Sequence, residues 1–294
     1  MENKNHQHNH AAQAIVWSIA GASVLGILKL AAGLLTNSMA IMASALDSGM
    51  DAASSTVNYI AAREAAKPPD EDHEYGHGKI ESLASLFQSL AISVSGIFLI
   101  IESVRRLIQG SFIEEIKAGI AVMAFSFLVT LAIIARLTLA QKKTGSLILS
   151  TEKLHYTTDI FSNGGALAAL VLVKWTGLVA LDLIFSIAVA AYIFKTSYGI
   201  LRQAVDELLD KSLPPVSKDE IARVIQGYHP SLGGLHNFRS RRVGQQVFMD
   251  FHIEIRGEDD FKKAHDMTEG LIAKIRDRYP EADVTVHYDP EGGI

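Results

Sequence analysis

The chain is 294 residues long, 49% hydrophobic and only 20% charged, with a mean hydropathy of +0.20, a balance on the apolar side of an average soluble protein. Its net charge of −5 and isoelectric point of about 6.1 offer no basic field to gather phosphate backbones, which argues against nucleic acid as a partner. Cysteine is absent, so disulfides and thiolate metal sites are excluded, and a bound metal must be held by His, Asp, Glu, backbone or water.

Residues 1–11 form a polar tail containing His6, His8 and His10, with too little apolar surface to fold. Weak metal collection, plain solvated disorder and an expression remnant all remain open for it. It lacks the apolar core of a cleaved signal peptide, so the first hydrophobic segment is expected to stay in the mature protein. A helix needs about 20 mostly apolar residues to cross a bilayer. Six candidate spans follow, at residues 14–35, 39–62, 83–108, 116–139, 149–175 and 178–200, within a transmembrane domain at 12–210. The second and fifth are less apolar than the rest and carry carboxylates and a histidine.

An even number of spans returns both ends of the chain to one side. Lys67 and Lys79, then Lys142, Lys143 and Lys153, then Arg202 and Lys211 all lie on that side, and the excess of Lys and Arg makes it cytoplasmic. The Arg105–Arg106 pair, beside Glu102, Glu114 and Glu115 at the other end of the third span, is the exception. The remainder, 211–294, reads as a cytoplasmic domain. Helix 217–227, strands 235–243 and 246–255, helix 260–279 and strand 282–287 give an α-β-β-α-β order, as in a small α+β fold with helices over one face of a sheet.

Asp47 and Asp51 in the second span are four residues apart and project from one helix face, and His155 and Asp159 repeat that spacing in the fifth. Three carboxylates and an imidazole on two helices can close a tetrahedral N/O site that suits zinc and tolerates other first-row divalent ions. Each ionisable group inside a membrane costs about 2.5–3.5 kcal/mol on insertion scales, so such groups normally line a pathway. Pairing with Lys29 or Lys153 for helix packing alone is the plainer alternative, and two matched pairs argue against it. Together the four suggest a transport site.

The stretch Ser38-Met39-Ala40-Ile41-Met42-Ala43-Ser44-Ala45-Leu46-Asp47-Ser48-Gly49-Met50-Asp51, with His155-Tyr156-Thr157-Thr158-Asp159 later, resembles the cation diffusion facilitator family in its bacterial zinc-exporting branch. The likeness runs from about Ala12 to Pro290. It implies a homodimer of six-helix subunits in the bacterial inner membrane, with both termini and a metallochaperone-like domain in the cytoplasm. The expected activity is export of Zn2+, with Cd2+, Fe2+, Co2+ and Mn2+ as alternatives, exchanged for protons by alternating access. Such a protein is a secondary transporter and not an enzyme.

By the same resemblance, Asp70, His73 and His77 in the acidic loop after the second span make up a second metal site, although acidic exposed loops are common. In the tail, His236, His252, His265, His287 and Asp289 are expected to bind two ions bridged by the aspartate near the subunit interface. His287 and Asp289, two apart on a strand, face one side; His229 stays unassigned. Lys79 and Asp210 resemble an ion pair between subunits, and tail metal is expected to bias the bundle through a hinge at 208–213.

Metal ligands must be deprotonated, so protons and metal compete for such a site. A membrane-anchored sensor or buffer would explain the tail histidines but not ligands within the spans. A membrane metallohydrolase is the weakest reading, since no His-Glu-x-x-His motif is present.

Overall fold

The computed structural model describes residues 2–36, 39–109, 117–176, 180–244, 246–257, 260–280, 282–290 and 292. Glu114, Glu115, and Ile116 and Leu178, the expected starts of the fourth and sixth spans, lie outside them, as do the side chains of His6, His8, His10, Glu102 and Arg106. The chain divides into two compact units, Met1–Val205 and Asp206–Ile294.

The first unit is helical: α1 (Glu2–Thr36), α2 (Met39–Ala65), α3 (Lys79–Gln109), α4 (Lys117–Thr144), α5 (Leu147–Thr176) and α6 (Ala180–Leu208), the last running into the second unit. One expectation changes. The polar tail is helical from Glu2 onward, because adding turns to an existing helix avoids the cost of nucleation. By length and composition, three of these helices among the described residues are apolar enough to cross a membrane, at Ala11–Leu35, Lys79–Phe98 and Ala124–Thr144. Among the described side chains, Ser48, Ser55 and Asn58 of α2, Thr151, Glu152 and Thr158 of α5 and Ser197 of α6 are buried.

Their packing is inverted relative to a water-soluble protein. Ser18, Ser55, Asn58, Ser89, Glu152 and Ser197 are buried, whereas Ile27, Leu35, Phe87, Phe98 and Ile108 are exposed. An apolar exterior around an interior that holds polar groups is the arrangement a bilayer favours. Ser197 on α6 donates to the carbonyl of Ser89 on α3 at 2.6 Å, and its hydroxyl meets that of Ser93 at 2.9 Å. Glu152 of α5 accepts from Ser55 and Asn58 of α2, and the Tyr156 hydroxyl lies 3.0 Å from that of Ser55 and donates to the carbonyl of Ser18 at 3.3 Å. The start of α5 is capped from another helix: Glu81 of α3 accepts from the Ile148 amide at 3.2 Å and from the Ser146 hydroxyl, satisfying donors that a helix leaves orphaned.

In the second unit, α6 ends at Leu208, where Asp210 takes a positive φ of 55° and the Lys211 amide bonds back to the Asp206 carbonyl at 2.9 Å, a helix stop of the Schellman kind. Then come α7 (Pro215–Tyr228), β1 (Leu232–Val243), β2 (Gln246–Ile255), α8 (Phe261–Arg278) and β3 (Ala282–Pro290), in the expected order. The sheet runs β1-β2-β3, antiparallel between the first two and parallel between the last two. Alternation along β2 sends Val247, Met249, Phe251 and Ile253 into a core with Ile221 and Ile225 of α7 and Leu271, Ile272 and Ile275 of α8. His252 and Glu254 therefore stand on the other face of the sheet.

Candidate metal centres

Among the described residues, three groups of metal-ligating side chains come together, each with ligand atoms mutually within 4.8 Å: Asp51, His155 and Asp159; Asp70, His73 and His77; and His236, His252 and Asp289.

The first group joins two helices. Nε2 of His155 lies 3.1 Å from Asp51 Oδ1 and 3.9 Å from Asp159 Oδ2. All three side chains are about a quarter exposed, shielded enough for charge to matter and open enough for an ion to enter. One imidazole and two carboxylates make up three hard-to-borderline donors, the usual count for a divalent site that keeps a position open. Asp47 is not a member of this set. Its side chain is exposed, one turn before Asp51 on α2. It remains close enough to act electrostatically on Asp159 and on Lys29 of α1.

Spacing does not single out the support behind these ligands. Glu152 precedes His155 by three residues and Ser55 follows Asp51 by four, so the buried Glu152–Ser55–Asn58 bonds fasten α5 to α2 about one turn from the site. A glutamate one turn from a candidate ligand, on the same helix face, is the signal that could have marked it.

The second group is made by a turn. Asp70 accepts from the backbone amides of His73 at 2.7 Å and Asp72 at 3.1 Å, which fixes its carboxylate. Its Oδ1 also meets His73 Nδ1 at 3.2 Å, its Oδ2 meets His77 Nε2 at 3.3 Å, and the two imidazoles lie tilted with centroids 4.4 Å apart. The His73 backbone bond, more than the burial that opposes it, holds the Asp70 carboxyl below its usual range.

Strand register builds the third. His236 is opposite His252, and His252 is opposite His287, so three imidazoles form one row across the open face of the sheet. Asp289 lies across that row: Oδ2 is 3.2 Å from both His236 Nε2 and His252 Nδ1, and Oδ1 is 3.2 Å from His287 Nε2. Burial works to raise the Asp289 carboxyl, but the His252 hydrogen bond and the imidazoles of His287, His252 and His236 outweigh it and hold the group below its usual range. Register shifts on either side of His236 re-aim that residue, as a bulge does. The Gly234 carbonyl then meets His236 Nδ1 at 2.5 Å, from a backbone with φ of 59° in which a Cβ would lie 2.6 Å from Glu254 side-chain carbons.

His265 does not join this row. It is exposed on α8, the helix that covers the core face of the sheet, while the imidazoles occupy the other. Asp210 meets Arg241 at 3.4 Å within the second unit, a partner the spacing does not suggest, and Lys79 is the first residue of α3.

Residues 15–209 match the family described as the cation efflux transmembrane domain, and residues 213–291 match the cation efflux protein cytoplasmic domain. Over 289 residues the chain is 31% identical to Protein p34 of Rickettsia prowazekii (strain Madrid E), covering 98% of this chain and 95% of that one. Over 279 residues it is 33% identical to the cation-efflux pump FieF of Salmonella newport (strain SL254), covering 95% and 92%. Among solved structures, the metal-bound C-terminal domain of the CzcD transporter from Thermotoga maritima is 29% identical with a TM-score of 0.26, covering 28% of this chain and 99% of that one. The cytosolic domain of a cation diffusion facilitator family protein is 31% identical with a TM-score of 0.24, covering 26% and 92%.

Proposed function

Because this chain belongs to the cation diffusion facilitator family, whose members are cation-efflux transporters and not enzymes, we propose that it exports a divalent metal, zinc foremost, from the cytoplasm in exchange for protons. The convergence of Asp51, His155 and Asp159 from α2 and α5 is the observation that carries the reading, with Asp47 as a third carboxylate and fourth ligand that a modest rotation of α2 would bring in. An imidazole among carboxylates favours zinc over harder ions such as manganese.

Metal binding displaces protons from the ligands, and protonation from a more acidic exterior displaces the metal. Export follows if the bare, deprotonated site rarely changes face, because an uncompensated carboxylate cluster is costly to occlude. In this reading all six helices span the inner membrane, the polar α2 and α5 lying inside the bundle, and both termini face the cytoplasm. The match of the tail to the cytoplasmic domain of the family supports that orientation.

The loop group of Asp70, His73 and His77 is exposed and stands between α2 and α3, which suits an entry or regulatory ion. The tail row suits two ions sharing Asp289, with His287 as a ligand of the second. His265, outside the row in its own subunit, is assigned to it from the partner of a homodimer. Lys79 and Asp210 remain the pair assigned to hold the two subunits together near the membrane surface.

Purified protein in liposomes with an imposed pH gradient tests the reading. Zinc uptake by the unaltered chain and its loss in Asp51→Ala and in Asp159→Ala are expected, by at least about a hundredfold for a lost ligand. Retained uptake in both variants would contradict it.

A further inference from the structure

A single cation interrupts the apolar stretch Ala11–Leu35 of α1, at Lys29. Small residues bring α1 against α2 just before it: a Cβ at Gly26 would lie 3.7 Å from the Gly49 nitrogen and 3.8 Å from the Ala45 carbonyl oxygen, the close approach that glycine permits between membrane helices. About one turn later, the Lys29 ammonium donates to the Ser48 hydroxyl at 2.8 Å and to the Ser44 carbonyl at 3.5 Å. Ser48 sits between Asp47 and Asp51 on α2, and the half-buried ammonium is within electrostatic reach of Asp51, Asp47 and Asp159. An ammonium in this setting needs compensating negative charge, and these three carboxylates supply it.

We propose that Lys29 is a tethered counter-charge of the transport site. Held on α2 by Ser48, its ammonium offsets one of the three carboxylates Asp47, Asp51 and Asp159, and the two negative charges left over are what one divalent cation neutralises. This positioning of charge rests on the transport-site reading given above. Lys29 touches no metal in this role. It weakens metal binding by repulsion, speeds release, and lowers the charge that the metal-free site carries when it changes face.

The test uses the full chain in proteoliposomes under a fixed pH gradient, with initial zinc uptake measured over a range of zinc concentrations. Lys29→Met removes the charge, and Lys29→Gln removes it while leaving a donor for Ser48. Both are expected to lower KM by about tenfold or more, since a unit charge is withdrawn from the neighbourhood of a divalent ion in a partly buried site, and to lower kcat as release and return slow. Lys29→Arg, which keeps the charge, keeps both constants near those of the unaltered chain. A lysine that merely packs α1 on α2 would reduce the yield of folded protein without lowering KM. Unchanged or raised KM in both neutral variants, with Asp51→Ala inactive, overturns the role of Lys29 alone. Uptake by Asp51→Ala equal to that of the unaltered chain overturns the site reading and the counter-charge with it.

Discussion

The helical unit and the tail hold nearly the same ligands, imidazole and carboxylate, by opposite means. In the helical unit, Asp51 and His155 come from helices with no mutual hydrogen-bond ladder, and their 3.1 Å approach depends on how α2 and α5 pack. In the tail, His236, His252 and His287 are neighbours by strand register, and the backbone ladder fixes their spacing. A site held by packing can open and close with the helices that carry it, whereas a site held by a ladder is a static anchor. Transport needs the first kind, and regulation or assembly can use the second.

Glu152→Leu attacks this contrast where the effect should be largest. It leaves the buried Asn58 amide without its acceptor and takes from Ser55 the carboxylate it donates to, at a cost of about 3 kcal/mol. Thermal unfolding in detergent should show that loss, with Glu152→Gln recovering part of it because the amide still accepts. Equal stability of Glu152→Leu and the unaltered chain would mean that α2 and α5 are held by apolar packing alone.

Gly234→Ala probes the ladder side of the comparison. Its positive φ and the meeting of a Cβ with Glu254 should cost about 1–2 kcal/mol, shift the carbonyl that orients His236, and weaken zinc binding to the tail by about tenfold. Titration of the tail with zinc measures it, and transport at saturating zinc should change far less. A parallel collapse of transport would show that the two sites are tightly coupled.

Acid gives the smallest effect. The Asp289 carboxyl is held below its ordinary value of 3.8, so the stability it contributes is present above that value and is lost as pH falls through the lowered one. Comparing the unaltered chain with Asp289→Asn should therefore show its full difference above pH 3.8, where the carboxyl is ionised. That difference should shrink as pH falls below 3.8 and be gone once the lowered value is passed. A gap that persists there would assign the role of Asp289 to packing.

Much of this was legible from residue order. The i,i+4 spacings of Asp47–Asp51 and His155–Asp159 place ligands on helix faces, and period-two alternation marks the strands of the tail, because both are local properties of the backbone. What stayed hidden depends on which segments meet. The bond of Glu152 to Ser55 joins residues 97 apart, and the hydrogen bond of Lys29 to Ser48 depends on the crossing at Gly26. Asp47 shares a face with Asp51 by count, yet it is exposed, whereas His155 and Asp159 at the same spacing stay together, so spacing alone does not decide membership. The bulge at His236 escapes alternation because it breaks it, and the wrong side of the sheet for His265 follows only once α8 is seen to cover the core face.

Zinc counting tests the central claim most directly. A full-length chain carrying Asp70→Ala and Asp289→Ala, which cripple the loop and tail groups, should bind one zinc per subunit in detergent. X-ray absorption should show a nitrogen and oxygen shell with an imidazole signature. Adding Asp51→Ala, His155→Ala and Asp159→Ala together should abolish that binding. One tightly held zinc per subunit in this last variant, with an unaltered absorption spectrum, would contradict the account.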